Sequence, residues 1–344
     1  MSRRIGVLTA GGDAPGLNAA VRALGRRALA NGDELWGIRD GWSGLLGDVE
    51  AVPLTREALS GVINEGGTLL GSVRIDLNHP SSRREEILHN IESRFDGVVA
   101  IGGDGTLSVA QWLGDRGAAI VGVPKTLDND LSHTEYCIGF DTAVSVVAEA
   151  LDRLHTTAAS HHRVMVLETM GRETGWVAAM GALAGGADFL IIPEFPRSLD
   201  EVVTHVRARH ERGASFSIVV VAEGVALETF GAPHQPPIMN PLGHVSFAAN
   251  GVGHFLADAI AQQTGFETRA TVLGYLQRGG SPSAYDRIWA THVGSAAYDA
   301  VVEAAWNCVP VVQGARVVRV PIGSAVESIK SVPRELYELC AHFF

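Results

Sequence analysis

Seven short apolar runs, most of them bounded by glycine, proline or aspartate, constrain this chain more than any other feature of it. They lie at Ile5 to Ala10, Gly97 to Ile101, Ala119 to Val123, Val164 to Glu168, Phe189 to Pro193, Ser217 to Ala222 and Thr271 to Gly274. The runs are rich in β-branched residues and mostly continuous rather than alternating, the pattern of strands covered on both faces of a parallel sheet. Helical stretches separate them. In the clearest, Ala143, Val144, Val146, Val147, Ala150, Leu151 and Leu154 share one face. Strands alternating with helices predict a doubly wound α/β architecture with ligands at the carboxyl ends of the strands. At 344 residues, two globular lobes are expected rather than one core. The Pro/Gly-rich stretch Gly231 to Gly243 reads as a loop.

Composition removes several classes. Hydrophobic residues make up 46% and charged residues 19%, which excludes a disordered chain, a coiled coil and a collagen-like repeat. A net charge of −11 argues against a general nucleic-acid binder or a partner of anionic membranes. Cys137, Cys308 and Cys340 are too far apart for a disulfide framework or a zinc site. With no signal-peptide core and no run of membrane-spanning length, a cytoplasmic protein is expected. Of 27 basic residues only Lys125 and Lys330 are lysines. Codon bias would explain an arginine excess, but Lys125 in a polar loop hints at a local requirement, since the two cations differ in shape and hydration.

Three turns could carry chemistry. The first run ends in Ala10-Gly11-Gly12-Asp13-Ala14-Pro15-Gly16-Leu17-Asn18, where glycines let backbone N–H groups approach a phosphate ahead of a helix dipole. No GxxxxGK[ST] sequence exists, which excludes a P-loop enzyme. The second turn, Gly102-Gly103-Asp104-Gly105-Thr106, sets one carboxylate among glycines, suited to hold Mg²⁺ beside a polyphosphate or to cap the next helix. The third, Pro124-Lys125-Thr126-Leu127-Asp128-Asn129-Asp130, offers two carboxylates for a division between proton acceptance and orientation, or a polar Asx turn.

With Gly66 to Arg74 (GGTLLGSVR), Met170-Gly171-Arg172 and Gln277 to Pro282 (QRGGSP), these turns resemble the 6-phosphofructokinase family nearly end to end. The resemblance implies two similar doubly wound parallel-sheet lobes with the active site in the cleft between them. The nucleotide-binding lobe would hold residues 1–139 and about 277–325, and the sugar-phosphate-binding lobe 140–276 and about 326–344. It implies transfer of a phosphoryl group from Mg-ATP to the 1-hydroxyl of fructose 6-phosphate. Asp128 would be the base, Thr126 and Asp130 would assist, Arg172 would face the transferring group and Asp104 would serve Mg²⁺. Gly12, Arg74, Gly103, Asp104, Gly105 and Thr106 match nucleotide-binding positions. Thr126, Leu127, Asp128, Met170, Gly171, Arg172, Glu223, Tyr275 and Arg278 match the sugar phosphate's contacts. Arg163 and Arg269 would reach a neighbouring subunit's site in a homotetramer.

The chain departs from the family pattern in places. Family members that use pyrophosphate typically carry aspartate at position 105 and lysine at 125, whereas ATP users carry glycine at both, so Gly105 with Lys125 is a mixed pair. Gly105 leaves room for a nucleotide and favours ATP. Val109, near the expected adenine, and Lys125 favour pyrophosphate, or Val109 simply packs in its helix. Tyr275 replaces a histidine and cannot carry positive charge, which leaves open another sugar phosphate such as sedoheptulose 7-phosphate. Arg22, Arg26 and Arg56 match an effector-phosphate cluster, but His155 and Gly213-Ala214-Ser215 stand where other basic residues are expected, so weak allosteric control follows. A non-catalytic sugar-phosphate sensor is disfavoured because Asp128, Asp104 and Arg172 are all present.

Overall fold

The apolar runs pair side by side and in the same direction. The structure, a computed structural model, describes residues 2–73, 75, 77, 83–232 and 251–344, and the backbone of 238–239 and 245–246. The chain forms two units, Met1–Thr142 with Arg278–Ile329 and Ala143–Gln277 with Lys330–Phe344. The first opens with β1 (Arg4–Thr9), α1 (Leu17–Ala30), β2 (Glu34–Ile38), β3 (Ala51–Pro53), α2 (Arg84–Arg94), β4 (Gly97–Gly102), α3 (Asp104–Gly114) and β5 (Ile120–Pro124). Helix α4 (Phe140–His161) begins there and continues into the second unit. That unit holds β6 (Val164–Thr169), α5 (Trp176–Gly185), β7 (Phe189–Ile191), α6 (Leu199–Glu211) and β8 (Ser217–Ala222). The short pair β9 (Ile238–Met239) and β10 (Val245–Ser246), α7 (Val252–Thr264) and β11 (Thr268–Val272) follow. The first unit is completed by α8 (Ala284–Val302), β12 (Cys308–Gln313), β13 (Arg316–Pro321) and α9 (Ile322–Val326), and the second by α10 (Arg334–Ala341).

The first sheet runs β13-β12-β5-β4-β1-β2-β3. Its inner strands β12, β5, β4, β1 and β2 are parallel, with β13 and β3 antiparallel at the edges. Every residue of β4 and β5 is buried, which explains why these runs are continuously apolar: helices cover both faces and no position turns to water. The second sheet, β11-β6-β8-β7, is wholly parallel, and its inner strands β6 and β8 are likewise buried throughout.

The expected strand at Thr271 to Gly274 is displaced. Its strand, β11, starts at Thr268 because it pairs there with Val164, and Gly274–Gln277 folds instead as a 3-10 turn. As an edge strand β11 is only partly buried, so its sequence lacks the continuous apolar signal. The loop expected at Gly231 to Gly243 falls mostly outside the described residues. No helix among the described residues is long and apolar enough to cross a membrane.

Helices α1 and α8 meet backbone to backbone in the first unit. A Cβ at Gly294 would lie 2.5 Å from the carbonyl oxygen of Ala20. Alanine there would recover roughly 1 kcal/mol of helix propensity, but a backbone oxygen cannot rotate aside as a side chain can. The Gly294→Ala variant is therefore expected to lose about 1–3 kcal/mol through overpacking. Urea unfolding reads this as a lowered midpoint; a midpoint at or above that of the unsubstituted chain would contradict the close approach.

Candidate active site

Strands β5, β4 and β1 are neighbours, so their turns emerge together at one carboxyl edge of the first sheet. Backbone bonds prolong the ladder into the turns: Ala10 N donates to Ile101 O (3.0 Å) and Lys125 N to Gly102 O (2.9 Å). The first turn is pinned from two sides. Ser72 Oγ donates to Gly11 O (2.5 Å), and Lys125 Nζ donates to Ala10 O (3.3 Å) and to Gly12 O. Lys125 is only 3% exposed, so its ammonium lies in the floor of the first turn, where it fixes the carbonyls and brings positive charge beneath the glycines. Arg278 Nη1 donates to Asp13 O (3.1 Å), while its Nε is shielded from water with no hydrogen-bond partner among the described residues.

The second turn is the start of α3. Gly103 is the N-cap, no side chain caps the helix, and Asp104 is its first residue, exposed at the positive end of the helix dipole. Gly102 and Gly105 differ physically. A Cβ at Gly102 would meet Thr106 Cβ at 2.3 Å, whereas one at Gly105 would meet nothing within 4 Å. The fold requires the first glycine and not the second.

The third turn carries Asp128 and Asp130, half-buried, each with its Oδ1 shielded from solvent. Between them Asn129 is buried with φ 50, the left-handed region asparagine tolerates. Its amide donates to Glu135 O (3.2 Å) and its Oδ1 accepts from Cys137 N (3.0 Å), tying the loop to the segment that follows it. Thr126 Oγ1 accepts from Asp128 N (3.2 Å). Leu127 is 1% exposed, so its side chain anchors the loop in the core and only its backbone is left to meet a ligand.

In the second unit, the turns after β6 and β8 zip together. Glu223 N donates to Thr169 O and Gly224 N to Gly171 O, both at 2.9 Å, which sets Met170, Gly171, Arg172 and Glu223 along one edge. Gln277, fully buried, accepts from Met170 N (3.3 Å) and donates to Gly274 O (3.2 Å), linking that edge to the turn after β11. Tyr275 projects from this turn and is 84% exposed. Glu168, next to last in β6, accepts from Gly253 N at the start of α7 (2.7 Å), and burial pushes its pKa up. Sequence reading missed Asn129, Glu168 and Gln277 as organisers, because each acts through backbone groups of another segment, eight residues on for Asn129 and 85 and 107 residues away for Glu168 and Gln277.

Several expected residues are not brought into these clusters. Arg163 and Arg269 share Glu267 Oε1, each at 2.7 Å, at the opposite, amino edge of the second sheet. The six residues of β6 separate Arg163 from Met170, about 23 Å along the strand. Val109 is 5% exposed and packs in the core of the first unit with Leu107 and Leu113. It therefore does not narrow an open nucleotide pocket. His155 Nε2 lies against the carbonyls of Gly185 (3.0 Å) and Gly186 (3.1 Å). Arg74 lies outside the described residues. No group of three or more His, Cys, Asp or Glu fit to hold a metal exists among the described residues. A single exposed carboxylate such as Asp104 suits Mg²⁺, which binds through one or two carboxylates plus phosphates and water rather than in an all-protein cage.

Comparison with known proteins follows the same lines. The sequence profile described as Phosphofructokinase matches residues 4–301. The chain is 46% identical over 344 residues to the pyrophosphate–fructose 6-phosphate 1-phosphotransferase of Amycolatopsis methanolica, covering 99% of both chains. It is 43% identical over 336 residues to the ATP-dependent 6-phosphofructokinase 3 of Streptomyces coelicolor, covering 97% of this chain and 98% of that one. Among solved structures, the phosphofructokinase of Pichia pastoris in the T-state superposes with a TM-score of 0.82 at 31% identity, over 95% of this chain. The chain spans 38% of the length of that yeast protein.

The contrast between Gly102 and Gly105 is open to a direct check. Gly102→Ala is expected to cost about 1–3 kcal/mol, as Thr106 is forced to move. Gly105→Ala, early in a helix and in open space, is expected to gain roughly 0.5–1 kcal/mol. Denaturant unfolding of both variants measures the pair; a loss at Gly105 as large as that at Gly102 would show that the fold, not the ligand, demands glycine at 105.

Proposed function

Since the chain belongs to the phosphofructokinase family and phosphorylates fructose 6-phosphate, we propose that its donor is Mg-ATP, received on the three turns of the first unit. Relatives named for ATP and for pyrophosphate are about equally similar, so the donor reading rests on residues. One observation carries it. Gly105 is exposed, faces open space and is not needed for packing, so its lack of a side chain is best explained by the room a nucleotide takes. Lys125 supports the rival donor, pyrophosphate, by its charge, but its ammonium is already engaged with Ala10 O and Gly12 O.

In this reading Asp128 accepts the proton of the sugar's 1-hydroxyl as that oxygen attacks the γ-phosphorus and the bond to the β–γ bridging oxygen breaks to release ADP, and Asp130 and Thr126 keep it aligned. Gly12, Gly103 and Thr106 bound the donor phosphates, and Arg172 balances charge that grows on the transferring group. Asp104 would hold Mg²⁺, which when bound neutralises donor phosphate charge. Met170, Gly171, Glu223 and Arg278 hold the sugar phosphate, and the unpartnered Arg278 Nε is a donor suited to a phosphate oxygen. Arg163 and Arg269 lie at the wrong edge of their own sheet to join Met170. That supports service to another copy's site and a homotetramer.

Two measurements test this. Fructose 1,6-bisphosphate formation assayed with ATP and with pyrophosphate in parallel is expected with ATP, and Gly105→Asp should lower kcat/KM for ATP by roughly tenfold or more. Product with pyrophosphate alone would reverse the donor assignment. Asp128→Ser is expected to lose turnover by about 10²–10⁴-fold while still binding fructose 6-phosphate. Retained turnover would remove Asp128 as the base.

A further inference from the structure

Asp286, in the first turn of α8, is completely buried. Four donors converge on its carboxylate. Oδ1 accepts from the Tyr136 hydroxyl and from Gly139 N (2.6 Å), and Oδ2 accepts from Thr142 N (2.8 Å) and Thr142 Oγ1 (2.5 Å). Burial pushes the pKa of Asp286 up, against the hydrogen bonds that favour its ionised form, and it pushes the Tyr136 phenol up as well, so Tyr136 remains a donor. A carboxylate so far from water is costly and is tolerated only when fully hydrogen-bonded. Capping α8 does not require it, because the Ser283 side chain already accepts from Asp286 N (3.1 Å).

The segment Asp286 grips leads back to the third turn. Ile138 bridges Lys125 in parallel, and its amide donates to Pro124 O (3.4 Å). Cys137 N and Glu135 O are the two partners of the Asn129 side chain, and Asn129 stands between Asp128 and Asp130. Thr134 Oγ1 donates to Tyr136 O (2.7 Å), so the segment from 134 to 139 is braced along its length. The first turn leans on the same place: a Cβ at Gly16 would meet Ile138 Cγ2 at 2.7 Å and Asp286 Cβ at 3.6 Å.

We infer that Asp286 is a positioning residue for phosphoryl transfer: through Tyr136 and Gly139 it fixes the return segment that holds Asn129, and so the placing of Asp128 and Asp130. This rests on the reading of Asp128 as the base. The two oxygens divide the work. Oδ1 serves the return segment, whereas Oδ2 serves only the first turn of α4.

Three variants separate positioning from stability. Tyr136→Phe removes an Oδ1 partner, Thr142→Val removes an Oδ2 partner, and Asp286→Asn replaces the carboxylate by an amide of the same shape. Displacing a reacting group by about 1 Å costs on the order of 10²-fold. Tyr136→Phe and Asp286→Asn are therefore expected to lower kcat roughly 10–100-fold, with fructose 6-phosphate binding within about threefold of the unsubstituted chain. Thr142→Val should lower the unfolding midpoint but keep kcat. Amide hydrogen exchange across residues 126–131, which needs no turnover, should quicken by about tenfold in Tyr136→Phe and not in Thr142→Val. Unchanged exchange in Tyr136→Phe, or equal effects of Tyr136→Phe and Thr142→Val on kcat, would overturn the inference. If the unsubstituted chain turns over fructose 6-phosphate with neither donor, the assignment of the reaction fails, and the exchange measurement still decides whether Asp286 holds the loop.

Discussion

Parallel strands cannot be joined by a tight hairpin; each must be reached by a crossover, and every one then delivers its following turn at the same edge of the sheet. The rest of the first unit depends on this. Because β1, β4 and β5 lie side by side, turns more than a hundred residues apart in sequence meet, and the ladder bonds at Ala10 and Lys125 carry the register of the strands into the turns themselves. The second unit repeats the device, its turns after β6 and β8 zipped by Glu223 and Gly224. In each unit a rigid, buried sheet supplies the precision, and only short turns are left to supply chemistry.

Within those turns, structural and functional demands fall on different residues. Gly102 must be glycine because Thr106 occupies the space of a side chain, whereas Gly105 has nothing beside it. Leu127 and Asn129 hold the third turn in place, one by burial and the other by hydrogen bonds, on either side of Asp128. A loop made only of reactive groups would have no fixed geometry. One residue in two serves as anchor.

Legibility in the sequence followed the same division. The buried strands could be read because burial on both faces leaves a continuous apolar signature, and Ser217 to Ala222 matches β8 residue for residue. The edge strand β11 could not, since half its side chains face water and its start is set by pairing with Val164. Strands β2 and β13 escaped because their exposure is mixed, whereas β12, six residues long and buried in all but the last, was missed despite its apolar run. The turn residues could be read because glycines beside carboxylates at strand ends are chemically pointed. What no local pattern reveals is a partner a hundred residues away: nothing around Asp286 announces that Tyr136, Gly139 and Thr142 will close on it. Val109 illustrates the reverse case, a position that invites a ligand argument in sequence and proves to be core.

Two of the buried charges of the first unit, Lys125 and Asp286, share one device. Each is met by backbone groups that the secondary structure leaves unused: carbonyls of the turn after β1 for Lys125 and, beside the Tyr136 and Thr142 hydroxyls, amides at the start of α4 for Asp286. Strand ends and helix starts always have such groups to spare, and a buried charge converts them into a tie. The device also suits a lysine. A compact ammonium reaches both Ala10 O and Gly12 O, whereas a guanidinium spreads five donors over a planar fork. In a chain that uses arginine for 25 of its 27 cations, counted as the 27 less Lys125 and Lys330, the lysine at 125 stands where a compact ammonium reaches two turn carbonyls.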